Sequence, residues 1–139
     1  MGLFAEPWLR EARDHIKLVS DTTSDSKTHP IQFDKLAEAV EKAIKAALVE
    51  NHGSMPGQLE QQNLVSICQA TGMWDVLPPA LRGLVQEVQS FRAISSASQV
   101  QQSSVEQLQR YFVVARNLVD YMEFHIIGND SILKRLTVA

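Results

Sequence analysis

One cysteine, Cys68, stands in a chain of 139 residues. That excludes an intrachain disulfide framework and any metal site built from several cysteines. Glycine (6) and proline (5) are scarce and fall between periodic stretches, which favours long helices over a strand-and-turn protein. Positive charge is not in excess: 13 Lys and Arg face 16 Asp and Glu, for a net charge of −3. A nucleic-acid binder working by bulk electrostatics needs the opposite balance, so RNA is not an expected partner. No apolar run reaches the roughly 18–20 residues of a membrane span, and no membrane partner is expected either. The opening residues, Met1-Gly2-Leu3-Phe4-Ala5-Glu6-Pro7, lack a basic stretch ahead of an apolar core and do not read as a signal peptide. A cytoplasmic location is the expectation. What remains is ordinary for a globular protein, 45% hydrophobic and 21% charged, and the length suits a single domain over 1–139.

The periodicity predicts helices throughout. Trp8, Ala12, Ile16 and Val19 form one stripe of a first helix over Glu6 to Val19, with Pro7 in the first turn where its missing donor does no harm. A polar segment from Ser20 to Pro30 reads as a loop, with flexibility expected over about 20–32. Phe33, Leu36, Val40, Ile44, Ala47 and Leu48 mark the inner face of a second helix, and Glu38–Lys42 and Glu41–Lys45 stand opposite as i,i+4 ion pairs in the favourable order. Gly53-Ser54-Met55-Pro56-Gly57 then breaks the chain. A shorter helix over Leu59 to Ala70 turns Leu64, Ile67 and Cys68 inward and ends at Gly72. Trp74 to Leu77 reads as an apolar linker. Pro78-Pro79 opens a helix with Leu81, Leu84, Val85, Val88 and Phe91 inside, in which Gly83 is read as marking a close contact between helices. Ser95 to Ser104 is a second expected mobile loop.

The last long helix, Ser104 to Ile127, carries two apolar lines side by side. One is Val105, Leu108, Phe112, Ala115, Val119, Met122 and Ile126; the other is Tyr111, Val114, Leu118 and Tyr121. A surface this wide suits a helix central to a bundle, or one facing both a core and a second copy. Gly128-Asn129 ends it, Asp130-Ser131 caps a further short turn, and 128–139 reads as a tail. The expected fold is all-α, an antiparallel up-and-down bundle of about five helices. A homodimer is expected, with either Phe112, Val119, Met122 and Ile126 or the Tyr111–Tyr121 line at its interface.

Few groups invite chemistry. The four histidines, His15, His29, His52 and His125, have no second histidine three or four residues away, so no metal site is read. Cys68 lies on an apolar face with no adjacent base and reads as an inert thiol. Phosphate loops of the G-x-x-x-x-G-K or G-x-G-x-x-G kind are absent, so a bound phosphate would need charged side chains. Lys45, Arg92 and Arg110 are the candidates for that role, with Arg92 set apart by having no acidic neighbour in sequence. Arg116 has Asp120 four residues on as an ion-pair partner.

The order of segments over residues 8 to 126 resembles the HEPN domain (higher eukaryotes and prokaryotes nucleotide-binding). Trp8-Leu9 followed by Ala12 and Ile16 is similar to that family's first helix, and Ala39-Val40-Glu41-Lys42-Ala43-Ile44-Lys45-Ala46-Ala47-Leu48 to its second. Met55-Pro56, Leu77-Pro78-Pro79 and the Arg92 region fall where the family places its prolines and its R-Y-P segment. Three stretches depart from the pattern. Gln62-Asn63-Leu64 stands where a His-Leu pair is usual, and Ala93-Ile94 replaces the tyrosine and proline. The R-x4–6-H motif of RNA-cleaving members is incomplete: Arg116-Asn117 begins it, but Tyr121 follows and the nearest histidine is His125. Without a histidine near the attacking hydroxyl, no catalytic residue is assigned.

The resemblance implies a non-catalytic helical module that binds a nucleotide or other phosphorylated ligand, or a small nucleotidyltransferase partner, or both. No other cofactor is implied. The alternatives are a structural homodimer or adaptor without a small ligand, and a degenerate ribonuclease toxin using Arg116, Asn117 and Tyr121. Fold alone does not choose among them.

Overall fold

A computed structural model describes residues 4–22, 29–52, 63–93, 105–134 and 136. Helix α1 spans Glu6–Thr22 and α2 spans His29–His52; α3 is Leu64–Thr71, α4 Met73–Val76 and α5 Pro79–Ala93. Helix α6, Val105–Tyr121, continues as a π-helical segment over Met122–Ile127, and α7 is Asp130–Leu133. No strand occurs among the described residues, and the fold is an all-α helical bundle. The expected breaks at Gly53–Gly57 and Ser95–Ser104 lie outside the described residues, as does most of the expected loop after the first helix. Ser20 to Thr22 and Pro30 are helical, so the two long helices extend further than their apolar stripes.

The central element is α2, not the last helix. It packs against α1, α5, α6 and the π-segment. The expected stripe from Phe33 to Leu48 is buried, but so are Ala37, Ala39, Ala43, Ala46 and Val49. The alanines do not add to the apolar stripe, yet their small side chains let neighbouring helices approach α2 from several sides. The α1–α2 pair is antiparallel. Three contacts fix its register: the Ala5 amide donates to Glu50 Oε2 at 3.0 Å, Lys42 meets Glu11 at 3.1 Å, and His15 meets Glu38 at 3.2 Å.

The wide apolar face of α6 is mostly satisfied within this one chain. Ala115, Leu118, Val119, Met122 and Ile126 are all buried to 0% exposure, while Tyr111, Phe112, Val114 and Tyr121 pack against the core at its edge. Val119, Met122 and Ile126 therefore have no surface left for a second copy to cover, which corrects their placement at a dimer interface. Phe112 keeps part of its surface.

The segment expected as a linker, Trp74 to Leu77, is largely the short helix α4. The Leu77 amide closes its C-terminal end on the Trp74 carbonyl, and side chains from two other helices bond the carbonyls there as well. Arg82 Nε donates to the Trp74 carbonyl at 2.9 Å, and the Tyr121 hydroxyl donates to the Val76 carbonyl at 2.6 Å. Helix α3 starts later than the described part of its expected range, at a cap the stripe did not show: Asn63 Oδ1 accepts the Ser66 amide at 2.8 Å. It ends at Gly72, which takes a left-handed φ of 83°. Helix α7 follows a similar correction, because the Ser131 amide donates to Asn129 Oδ1, so Asn129 rather than Asp130-Ser131 supplies the cap. Gly83 does not mark a close contact: a methyl group built there meets nothing within 4 Å.

Candidate functional site: the cleft between α1 and α2

Residues Trp8, Glu11 and His15 recur at spacings of three and four along α1, on the flank of its buried stripe. Glu38, Glu41, Lys42 and Lys45 do the same along α2. The antiparallel register sets these two rows against each other, and together they line an open cleft of about 420 Å³. Small-ligand sites fall in the range of about 300–1,000 Å³.

The ion pairs in the cleft run across the two helices rather than along one. Lys42 bonds to Glu11 and holds its ammonium 4.9 Å from the centroid of the Trp8 ring, a cation–π contact. Glu38 takes His15 from the opposite helix, with Lys35 at 3.8 Å on the same oxygen. The i,i+4 pairing expected for Glu38–Lys42 is therefore replaced. Along α2, Glu38 leads and Lys45 trails, with Glu41 and Lys42 adjacent between them. His15 meets Glu38, and Trp8 lies under Lys42.

Of the three residues proposed to hold a phosphate, only Lys45 lines this cleft. Arg110 is exposed on α6 and is not among the lining residues. Arg92 lies in the last turn of α5, and its side chain is outside the described residues. Spacing alone puts Trp8 in the core stripe and gives His15 no second histidine within its helix, so neither reads as a ligand residue from the sequence. The available signal was the 8–11–15 spacing, but its meaning depends on which row of α2 lies opposite.

The remaining candidates have structural employment. Arg116 and Asn117 are exposed, and the Arg116 guanidinium lies 5.6 Å from the Phe112 ring centroid. Its expected partner Asp120 instead accepts from Arg13 Nη1 at 3.0 Å, while Arg13 Nε and Nη2 both reach Glu123 Oε1. Burial alone would lower the Arg13 pKa, but the hydrogen bonds and charges of Asp120 and Glu123 outweigh it and raise it. Arg13 thus clamps α1 to α6 as a permanent cation. Tyr121 is tied to α4 and stacks on His125 at 5.1 Å. Cys68 is buried, and burial pushes its thiol up to about 12, which leaves almost no thiolate near neutral pH.

Among the described residues no three His, Cys, Asp or Glu side chains are grouped to hold a metal ion, and no helix is long and apolar enough to cross a membrane. No protein-family model, curated protein or solved structure matches the chain.

Proposed function

We propose that this chain is a non-catalytic, HEPN-like helical module that works in the cytoplasm and binds a nucleotide or another phosphorylated ligand in the α1–α2 cleft. The observation that carries the reading is the lining itself, where Lys42 and Lys45 stand beside an indole in a concavity of ligand size. Two ammonium groups one turn apart can make charge-assisted hydrogen bonds to a phosphate. The Trp8 ring offers an apolar surface to the rest of the molecule. Glu11 and Glu38 already hold Lys42 and His15, so an arriving anion must exchange partners with them.

Calorimetric titration with ATP and GTP tests the proposal. Heat of binding that Lys45→Ala weakens at least tenfold supports it, with Arg92→Ala and Arg110→Ala reporting whether either arginine reaches the same ligand. No heat from wild type at millimolar nucleotide overturns it. The family resemblance also supports a small nucleotidyltransferase as a protein partner.

A second reading, the structural homodimer or adaptor, is favoured by one observation. Val113 and Phe124 remain 43% and 61% exposed on the outer side of α6 and its continuation. Sedimentation at micromolar concentration tests it: a dimer lost in Phe124→Ser supports it, and a wild-type monomer overturns it. Ribonuclease activity is not part of either reading, since the Tyr121 hydroxyl that stands in the histidine position of the motif is engaged by Val76.

A further inference from the structure

We infer that the outer face of α6 is a self-complementary seam, on which a second copy of this chain docks antiparallel about a twofold axis. The inference rests on the homodimer reading and goes beyond it by fixing the symmetry and the residues that meet. None of those residues lines the α1–α2 cleft.

Val113, Asn117 and Asp120 of α6 and Phe124 of its π-helical continuation recur at spacings of four, three and four, which is one stripe. The stripe lies on the far side of the helix from the buried Ala115, Leu118 and Met122. Val113 and Phe124 are 43% and 61% exposed, Asn117 is exposed, and the Asp120 side chain keeps 46% of its surface. The spacing reads the same from either end, with apolar residues outside and polar ones between. A twofold interface needs a patch that matches its own inverted copy, and this stripe does. With the axis passing between Leu118 and Val119, Phe124 comes level with the partner's Val113, and Asn117 with the partner's Asp120. Each apolar end then covers the other. A slip of one turn would set Phe124 against the partner's Asn117 or Arg110 instead, so the polar centre fixes the register.

Charge points to the same arrangement. Among the described residues no carboxylate pairs with Arg116 in its own chain. Asp120, four residues on, gives Oδ1 to Arg13, and the Arg116 guanidinium lies over the Phe112 ring. Asp120 has a second oxygen, and a carboxylate accepts several donors. Arg116 and Asp120 sit on one flank of the stripe, a turn apart. The twofold rotation keeps that flank on the same side and reverses the chain direction, so each Arg116 arrives within one residue of the partner's Asp120. Two symmetry-related ion pairs thus cross the seam, each using a cation that its own chain leaves over. A partner of another sequence would have to supply this pattern separately, whereas a second copy supplies it by symmetry.

Sedimentation of the whole chain with a pair of charge variants tests the seam. Arg116→Glu sets like charges together at both crossings, and so does Asp120→Lys; each should weaken self-association at least tenfold. Mixed in equal amounts, the two variants should associate within about threefold of wild type, because both crossings again join opposite charges. Val113→Ser should weaken the dimer as Phe124→Ser does. Circular dichroism confirms that each variant is folded. A wild-type dimer that both charge variants retain, or whose variants do not recover on mixing, overturns the seam while leaving the homodimer reading. A wild-type monomer at micromolar concentration overturns both.

Discussion

Replacing Gly83 with alanine adds a methyl group on α5 where nothing lies within 4 Å, at a position whose φ is not left-handed. The folded state therefore gains no clash. The unfolded chain loses conformational freedom, and glycine inside a helix is about 1 kcal/mol less favourable than alanine. A gain of about 0.5–1 kcal/mol follows, raising Tm by roughly 2–5 °C in a chain of this size. The same substitution at Gly72 has the opposite sign. Its φ of 83° closes α3 and admits α4 directly afterwards, and an alanine there loses about 1–2 kcal/mol to left-handed strain. Urea unfolding followed by far-UV circular dichroism measures both, with equal m-values showing that the folded and unfolded states are otherwise comparable. A destabilised Gly83→Ala would show that α5 is in fact packed at that point. A neutral Gly72→Ala would show that the α3–α4 turn does not need its left-handed residue. Either result refutes the reasoning.

Arg13→Ala should destabilise by about 1–3 kcal/mol, because it leaves Glu123, only 13% exposed, without its guanidinium. Arg10→Ala breaks an exposed i,i+4 pair with Glu6 and should lose no more than about 0.5 kcal/mol by the same urea assay. Tyr121→Phe removes one hydrogen bond to the Val76 carbonyl and should lose about 0.5–1.5 kcal/mol, with faster amide exchange around α4. Cys68 gives a pH dependence: its thiol is raised from an ordinary 9.0 to about 12 in the fold. The protonated folded form is thus favoured, so its contribution is complete below pH 9 and falls by about 1.4 kcal/mol per unit as pH rises towards 12. Cys68→Ala should flatten that part of the stability profile, and the native thiol should resist aromatic disulfide reagents at pH 8 until urea exposes it.

The helical faces were legible because burial follows spacing within one element. Leu81, Leu84, Val85 and Val88 are inside α5, and Ile67 and Cys68 inside α3, as their periodicity requires. What spacing cannot supply is the element opposite. Glu38 stands four residues from Lys42, yet His15 lies closer across the α1–α2 seam, and Asp120 similarly goes to Arg13 rather than to Arg116. The candidate cleft depends wholly on such cross-helix register, so only Lys45 could be named for it in advance. The dominance of α2 was hidden for a related reason. Ala37, Ala39, Ala43 and Ala46 carry little hydrophobic signal, and their importance lies in how closely they let other backbones come.

The π-helical turn after Tyr121 sets the phase of everything that follows it. In an α-helix a residue five positions on is turned about 140° away, so Ile127 would point far from the face that Met122 occupies. The wider turn brings Ile127 back beside Ile126 and leaves Phe124 and His125 outside. Gly128 closes it, its amide bonded to the Glu123 carbonyl, where a side-chain carbon would stand only 3.0 Å from that oxygen. The chain in effect accommodates one residue more than a straight helix would hold. Deleting Phe124 should therefore do more than trim the surface: it would rotate Asn129 and α7 relative to α6 and draw Leu133 and Leu136 out of the core they now complete.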